Sequence, residues 1–261
     1  MPYIDTHTHL DFAAFDPDRD QVLSDCARLG VERLVVLGVC RSNWQAVWQL
    51  CQQHTSLYAA FGLHPMFMAE HAAEHVAALQ QCLAERLGDA RCCAVGEFGL
   101  DYWDKSADRA AQQRLFEAQL QLAVDYQLPS LLHVRKAHAE VIATLKRYRP
   151  ARGGIIHAFS GSPEQAREYH KLGFRLGLGG AATWPQATRL RKTVSQLPAE
   201  QIVLETDSPD MAPAFHAHQR NSPALLPQIA AELAALRGEP LSTFSARCWQ
   251  NSCELFQWSA A

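Results

Sequence analysis

Two histidines one residue apart, in Asp5-Thr6-His7-Thr8-His9, are the first residues whose types and spacing could do chemistry. Side chains alternate along an extended segment, so His7 and His9 fall on one side and converge on a point. Such a pair suits Zn, Mn, Ni or Fe, yet alone it is weak evidence for a metal against a polar turn. Four more potential donors follow: Glu97 in Gly96-Glu97-Phe98-Gly99-Leu100-Asp101, His133 in His133-Val134-Arg135, His157 in His157-Ala158-Phe159-Ser160-Gly161, and Asp207 in Glu205-Thr206-Asp207-Ser208-Pro209. Each lies at the end of a short apolar run. Any one of these histidines alone would more often be an ordinary polar or core-edge residue. Four histidines and two carboxylates placed this way would be an odd coincidence on that reading.

The apolar runs that must position them, rich in Val, Ile, Leu and Phe, number eight: residues 3–6, 33–39, 57–62, 92–97, 130–133, 154–157, 174–177 and 202–206. Between them lie stretches of helical character at 18–29, 44–54, 72–87, 107–126, 139–148, 163–171 and 185–197, and two more, 225–236 and 241–256, follow the last run. Strand and helix alternating eight times predicts an α/β fold, a (β/α)8 TIM barrel, whose usual size suits a chain of 261 residues. That barrel keeps its active site at the carboxyl ends of its strands, where all six donors fall. No linker, charge block or low-complexity tract divides the chain, so one domain over 1–261 is expected. The stretch 208–223, with Pro209, Pro213 and Pro223, reads as a long loop after the eighth strand.

At these motifs, from Ile4 to Asn221-Ser222-Pro223, the chain resembles the TatD family of metal-dependent hydrolases, a branch of the amidohydrolase-like barrels. The resemblance implies two divalent metal ions per chain, Zn, Mn, Mg, Ni or Fe. It puts one on His7, His9, Glu97 and Asp207 and the other on Glu97, His133 and His157, with Glu97 bridging. A carboxylate suits bridging because it has two oxygens, whereas each imidazole gives one nitrogen to one ion. Two ions clamp the oxygens of a phosphodiester and lower the pKa of a water. Asp207 is then the candidate to orient that water and accept its proton, and Glu205 is either a second proton carrier or a brace.

His64, in the family-like Gly62-Leu63-His64-Pro65, is a candidate to protonate a leaving oxygen or bind a phosphate oxygen. Arg135 would grip phosphate with two hydrogen bonds, a surface ion pair being the alternative. Tyr102 and Trp103 are candidates to stack on nucleobases. Asp101 and Asn221 match family positions as supporting residues. Phe98 departs from the usual aliphatic residue, and the loop over 213–221 is not closely matched. A second H-x-H, His216 and His218, has no carboxylate partner in register and is left out of the site.

The formal net charge of −3 argues against coating nucleic acid through a broad basic surface, so contact with DNA ends or single-stranded DNA would be local. Eight scattered cysteines without a CxxC pair read as reduced thiols, and with no export signal or membrane span in view the expected location is cytoplasmic. The resemblance favours a deoxyribonuclease or phosphodiesterase. An esterase, lactonase or deacylase on the same site is the rival activity, and a metal-stabilised binding or quality-control barrel the rival of another kind.

Overall fold

Aliphatic runs bounded by polar turns become strands because branched side chains pack well on a pleated surface buried on both faces. In the computed structural model, which describes residues 1–259, all eight runs are strands: β1 Tyr3–Thr8, β2 Val31–Gly38, β3 Leu57–Phe61, β4 Cys92–Asp101, β5 Ser130–Arg135, β6 Gly154–Ile156, β7 Phe174–Leu178 and β8 Ile202–Leu204. They pair in parallel in chain order, β1 to β8. The last strand meets the first through a parallel bridge between Thr8 and Ser208, where His9 N–H donates to Ser208 O at 2.8 Å and Asp207 N–H to His7 O at 2.9 Å. The fold is the expected TIM barrel.

Nine helices surround it among the described residues: α1 Arg19–Arg28, α2 Trp44–Gln53, α3 His75–Arg86, α4 Arg109–Asp125, α5 His138–Tyr148, α6 Pro163–Lys171, α7 Thr188–Val194, α8 Leu226–Arg237 and α9 Leu241–Phe256. Local chemistry sets several bounds. Ser162 caps α6 in a reciprocal box with Gln165 and Pro163 opens its first turn. Asp108 caps α4 by accepting from Ala111 N–H at 2.9 Å, so that helix starts at Arg109. The helix expected over 185–197 shrinks to Thr188–Val194, because Trp184 to Ala187 closes a turn around Pro185 and Trp184 Nε1–H is drawn to Ala212 O at 3.0 Å.

Alternation inside the barrel explains why the donors gather at one end. Leu131, Ile155 and Val203 belong to the inner apolar cluster, which Leu255 and Phe256 join from α9. Their neighbours Leu132, Ile156 and Leu204 belong to the larger cluster shared with the helices. Two residues beyond each inner apolar residue stands His133, His157 or Glu205, so the period of two delivers a polar group directly above an apolar one.

Strand β4 departs from expectation. It runs to Asp101 rather than ending at Glu97, with its pairing to β5 shifting register between Val95 and Phe98. Gly99 allows the close approach that follows, since a Cβ there would lie 2.0 Å from His133 O. Glu97 therefore sits within a strand, rigidly held, beside the end of β5.

Candidate metal centre

Six donors converge above the inner apolar layer. Glu97 lies in the middle, its side chain 3% exposed. Its Oε2 is 3.1 Å from His7 Nε2 and 3.6 Å from His9 Nε2. Its Oε1 is 3.1 Å from His133 Nδ1 and 4.0 Å from His157 Nε2. Asp207 Oδ1 is 3.6 Å from His7 Nε2 and 3.5 Å from His9 Nε2, and its Oδ2 is 3.4 Å from His157 Nε2. The two oxygens of Glu97 thus face two separate sets of nitrogen donors.

The far ring nitrogens of His9 and His133 are hydrogen-bonded and that of His157 faces a carboxylate, an arrangement of the kind that fixes tautomer and aim in a metal ligand. His9 Nδ1 donates to Leu37 O at 3.4 Å. His133 Nε2 pairs with Asp101 Oδ2 at 2.9 Å. His157 Nδ1 lies 3.0 Å from Glu205 Oε1, close but off the line of a good hydrogen bond. Glu205 Oε1 also accepts from Ala158 N–H at 2.7 Å, at a residue held in the left-handed region at φ 44°. Gly177 makes room for this buried carboxylate, since a Cβ there would fall 2.0 Å from Glu205 Oε2.

The electrostatics follow from burial working against neighbours. Burial opposes the charge of Glu97, but His64 and His7 and hydrogen bonds from His133 and His64 overcome it and hold the carboxyl well below its ordinary range. Asp207 is held low in the same way, mainly by His157 against burial. Burial opposes a proton on His9, yet Asp207 and Glu97 raise it to about 9. His157 is raised against burial by Glu205 and Asp207, and His133 against burial by Asp101 and Glu97. The raised imidazoles of His9, His133 and His157 thus face the two lowered carboxylates. A cluster of ionised carboxylates and braced imidazoles fits divalent cations taking nitrogen and oxygen ligands.

His64 is different. Burial lowers it to about 4, its Nδ1 accepts from Met66 N–H at 3.1 Å, and its Nε2 is 3.0 Å from Glu97 Oε1. It is a neutral imidazole with its N–H aimed at the centre. A buried glutamine of α4 fixes the segment before it, Gln119 Nε2 donating to Leu63 O at 3.0 Å and Oε1 accepting from Leu63 N–H at 2.7 Å.

The cluster floors a cavity of about 500 Å³ whose walls include Phe12, Met66, Phe67 and Met211. His133 and Asp207 are the most open of the six donors, at 15% and 16% exposure, and both line the cavity. Arg135 lines it too and lies 4.0 Å from Asp101 Oδ2, its side chain 45% exposed. Glu205 does not line the central cavity and lies on the far side of the His157 ring. Tyr102 also differs from expectation: its ring is buried, with the Arg109 guanidinium 4.6 Å above it, so it offers no free face for stacking. Trp103 is exposed, with Arg135 stacked 4.3 Å from its ring centre.

Sequence reading missed Asp5 altogether. It is fully buried, accepts from His7 N–H at 3.1 Å and Thr206 N–H at 3.0 Å through Oδ1, and from the Thr206 hydroxyl at 2.6 Å through Oδ2. A lone carboxylate inside an apolar strand was the available signal, because a buried charge must find partners. Asn221 holds the loop as expected, its Nδ2–H donating at 2.7 Å to both Thr206 O and Asp210 O. His216 and His218 belong to no donor group among the described residues.

Fold and donor set define a metal-dependent hydrolase of the barrel type, and comparison with known proteins gives the family. Residues 4–257 match the family described as TatD related DNase. The metal-dependent hydrolase YjjV of Escherichia coli strain K12 is 37% identical over 254 residues, covering 97% of each chain. The 3'-5' ssDNA/RNA exonuclease TatD of a Pantoea strain is 32% identical over 260 residues, covering 97% of this chain and 98% of its own. The crystal structure of E. coli YjjV superposes with a TM-score of 0.94 over 98% of both chains. The chain belongs to the TatD-related family.

Proposed function

We propose that this protein is a two-metal phosphodiesterase acting on the ends of single-stranded nucleic acid. The observation that carries the reading is the placement of Glu97, whose two oxygens address two sets of histidines at once. His7, His9, Glu97 and Asp207 would hold one ion, and Glu97, His133 and His157 the other. The ions would supply charge to neutralise a phosphodiester and acidify a water.

The rest of the work falls to the chain. Asp207, ionised and open to the cavity, orients the attacking water and takes its proton. His64 donates its Nε2–H as a neutral imidazole, which suits hydrogen bonding to a phosphate or leaving oxygen rather than full proton delivery at neutral pH. Arg135, forked and solvent-reachable at the rim, grips the phosphate. Glu205 and Asp101 keep His157 and His133 aimed. Support for a nucleic-acid substrate comes from relatives named as ssDNA/RNA exonucleases. Attack on a carboxyl ester or lactone by the same centre is the second reading, favoured by the apolar walls of the cavity.

The test is ion content. Purified protein is expected to hold two divalent ions per chain, and Glu97→Ala to lose both more completely than any other single change, while His133→Ala mainly empties one position. Elemental analysis finding two ions still bound to the Glu97 variant would remove the bridging assignment.

A further inference from the structure

A second cavity opens beside the central one. Its volume is about 340 Å³, and Met66 and Arg135 line both, so the two share a wall. On its far side stand Trp103, Met68, Asp104 and Asp108. Among the described residues six large hydrophobic side chains are exposed, and three of them, Met66 at 62%, Trp103 at 59% and Met211 at 40%, line these two cavities. Exposed apolar side chains gathered at one mouth mark a binding surface, whereas the same residues scattered singly would mark nothing.

Resting on the phosphodiesterase reading, we propose that the side cavity is a nucleobase subsite, in which Trp103 stacks on the base of the nucleotide adjoining the one held over the metal centre. Arg135 lies over the indole and on the boundary between the cavities, where the phosphate joining those two nucleotides would pass. Stacked against the guanidinium, the indole is already oriented, so ordering it costs little when a base arrives. Its exposure leaves ring surface for that base.

The other walls say which part of a nucleotide enters. Asp104 and Asp108 would repel a phosphate, and Pro65, Met66 and Met68 offer it no donor. A flat, uncharged ring meets apolar side chains and an indole instead. Asp104 Oδ1 is occupied by Ser106 and Asp108 Oδ1 by Ala111 N–H, which leaves the second oxygen of each to accept from an exocyclic amino group. Base stacking tolerates sequence because every base has a π-face, so the subsite selects single strands with free bases over stacked duplex.

The experiment compares binding of a fluorescent, phosphorothioate single-stranded oligonucleotide with versions carrying one abasic position at each of the last three nucleotides of either end. The metal-loaded wild type is expected to lose about 5- to 150-fold in affinity at one such position, the range one stacked base supplies. Trp103→Ala is expected to erase that difference and Trp103→Phe to keep part of it, while Leu87→Ala, exposed elsewhere, behaves as wild type. An abasic penalty of the same size in wild type and Trp103→Ala would overturn the subsite, as would no penalty at any position. Cleavage of unmodified oligonucleotides is followed in parallel. Normal cleavage without an abasic penalty sinks only the subsite, whereas a Trp103-dependent penalty without any cleavage sinks the activity and leaves the subsite standing. Failure to bind every oligonucleotide sinks both.

Discussion

At the scale of single residues the proposed centre divides into groups that would hold ions and groups that would orient them. Glu205 and Arg135 test the division because both are polar, near the cluster and expected to act differently. Glu205→Gln keeps an oxygen for Ala158 N–H but removes the charge beside His157. It should weaken metal binding by about 10- to 100-fold, the effect usual for a residue that orients a ligand. Arg135→Ala should leave ion content unchanged and raise KM on any phosphodiester that turns over. Calorimetric titration of stripped protein with Zn, set beside steady-state kinetics, separates them, and a metal-deficient Arg135 variant would make that arginine structural. The six side chains proposed as donors were legible in the sequence because each stands in or just beyond an apolar run, within a family-like motif. Their braces were not. Whether Glu205 faces the cavity or the back of His157 depends on the path of β8 and on room left by Gly177, and neither is a local property of the sequence.

At the scale of elements, the seam between β1 and the segment that follows β8 joins a left-handed residue to the buried carboxylate that ties the two together. Asp207 holds a left-handed backbone at φ 56°, a conformation that needs its surroundings to impose it. Asp5 supplies much of that imposition by tying His7 N–H to Thr206 N–H through one oxygen. Asp5→Ala would strand these buried donors and should lower stability by about 2–5 kcal/mol, with Asp5→Asn costing less because it keeps the shared acceptor. Denaturant midpoints would measure this, and an Asp5→Ala protein as stable as wild type would contradict it. Most helices and strands were read to within a few residues, α7 and β4 departing furthest, since periodicity and caps are local. What escaped was the use made of α4. Gln112 and Gln119 lie two turns apart on its buried face, and each reaches a loop end, Gln112 Oε1 accepting from Asp101 N–H at 2.9 Å. Glutamines recurring on an apolar face were the visible sign; only the packed barrel reveals which backbone groups they satisfy.

At the scale of the whole molecule, the chain combines a conventional barrel core with a localised charge problem. No helix among the described residues is long and apolar enough to cross a membrane, and all eight cysteines are buried and unpaired. One pH response belongs to the fold rather than the centre. Burial lowers His138 to about 4 from 6.5, in contact with Tyr169 and Phe159. The unfolded chain therefore binds a proton there that the folded chain refuses. Stability should fall as pH drops from about 6.5 towards 4, with a slope of up to about 1.4 kcal/mol per pH unit from this group. His138→Gln should flatten that part of the stability curve, and an unchanged slope would assign the effect elsewhere. The central claim concerns which bond the assembled centre breaks. The most direct measurement is kcat/KM of the metal-loaded protein on an end-labelled single-stranded oligonucleotide, set against a carboxyl ester and a lactone under the same conditions. The oligonucleotide is expected to be shortened from one end, with activity lost on chelation and far exceeding that on either carbonyl substrate. Efficient ester or lactone turnover with the oligonucleotide left intact would contradict the account and assign the centre to attack on carbonyl carbon.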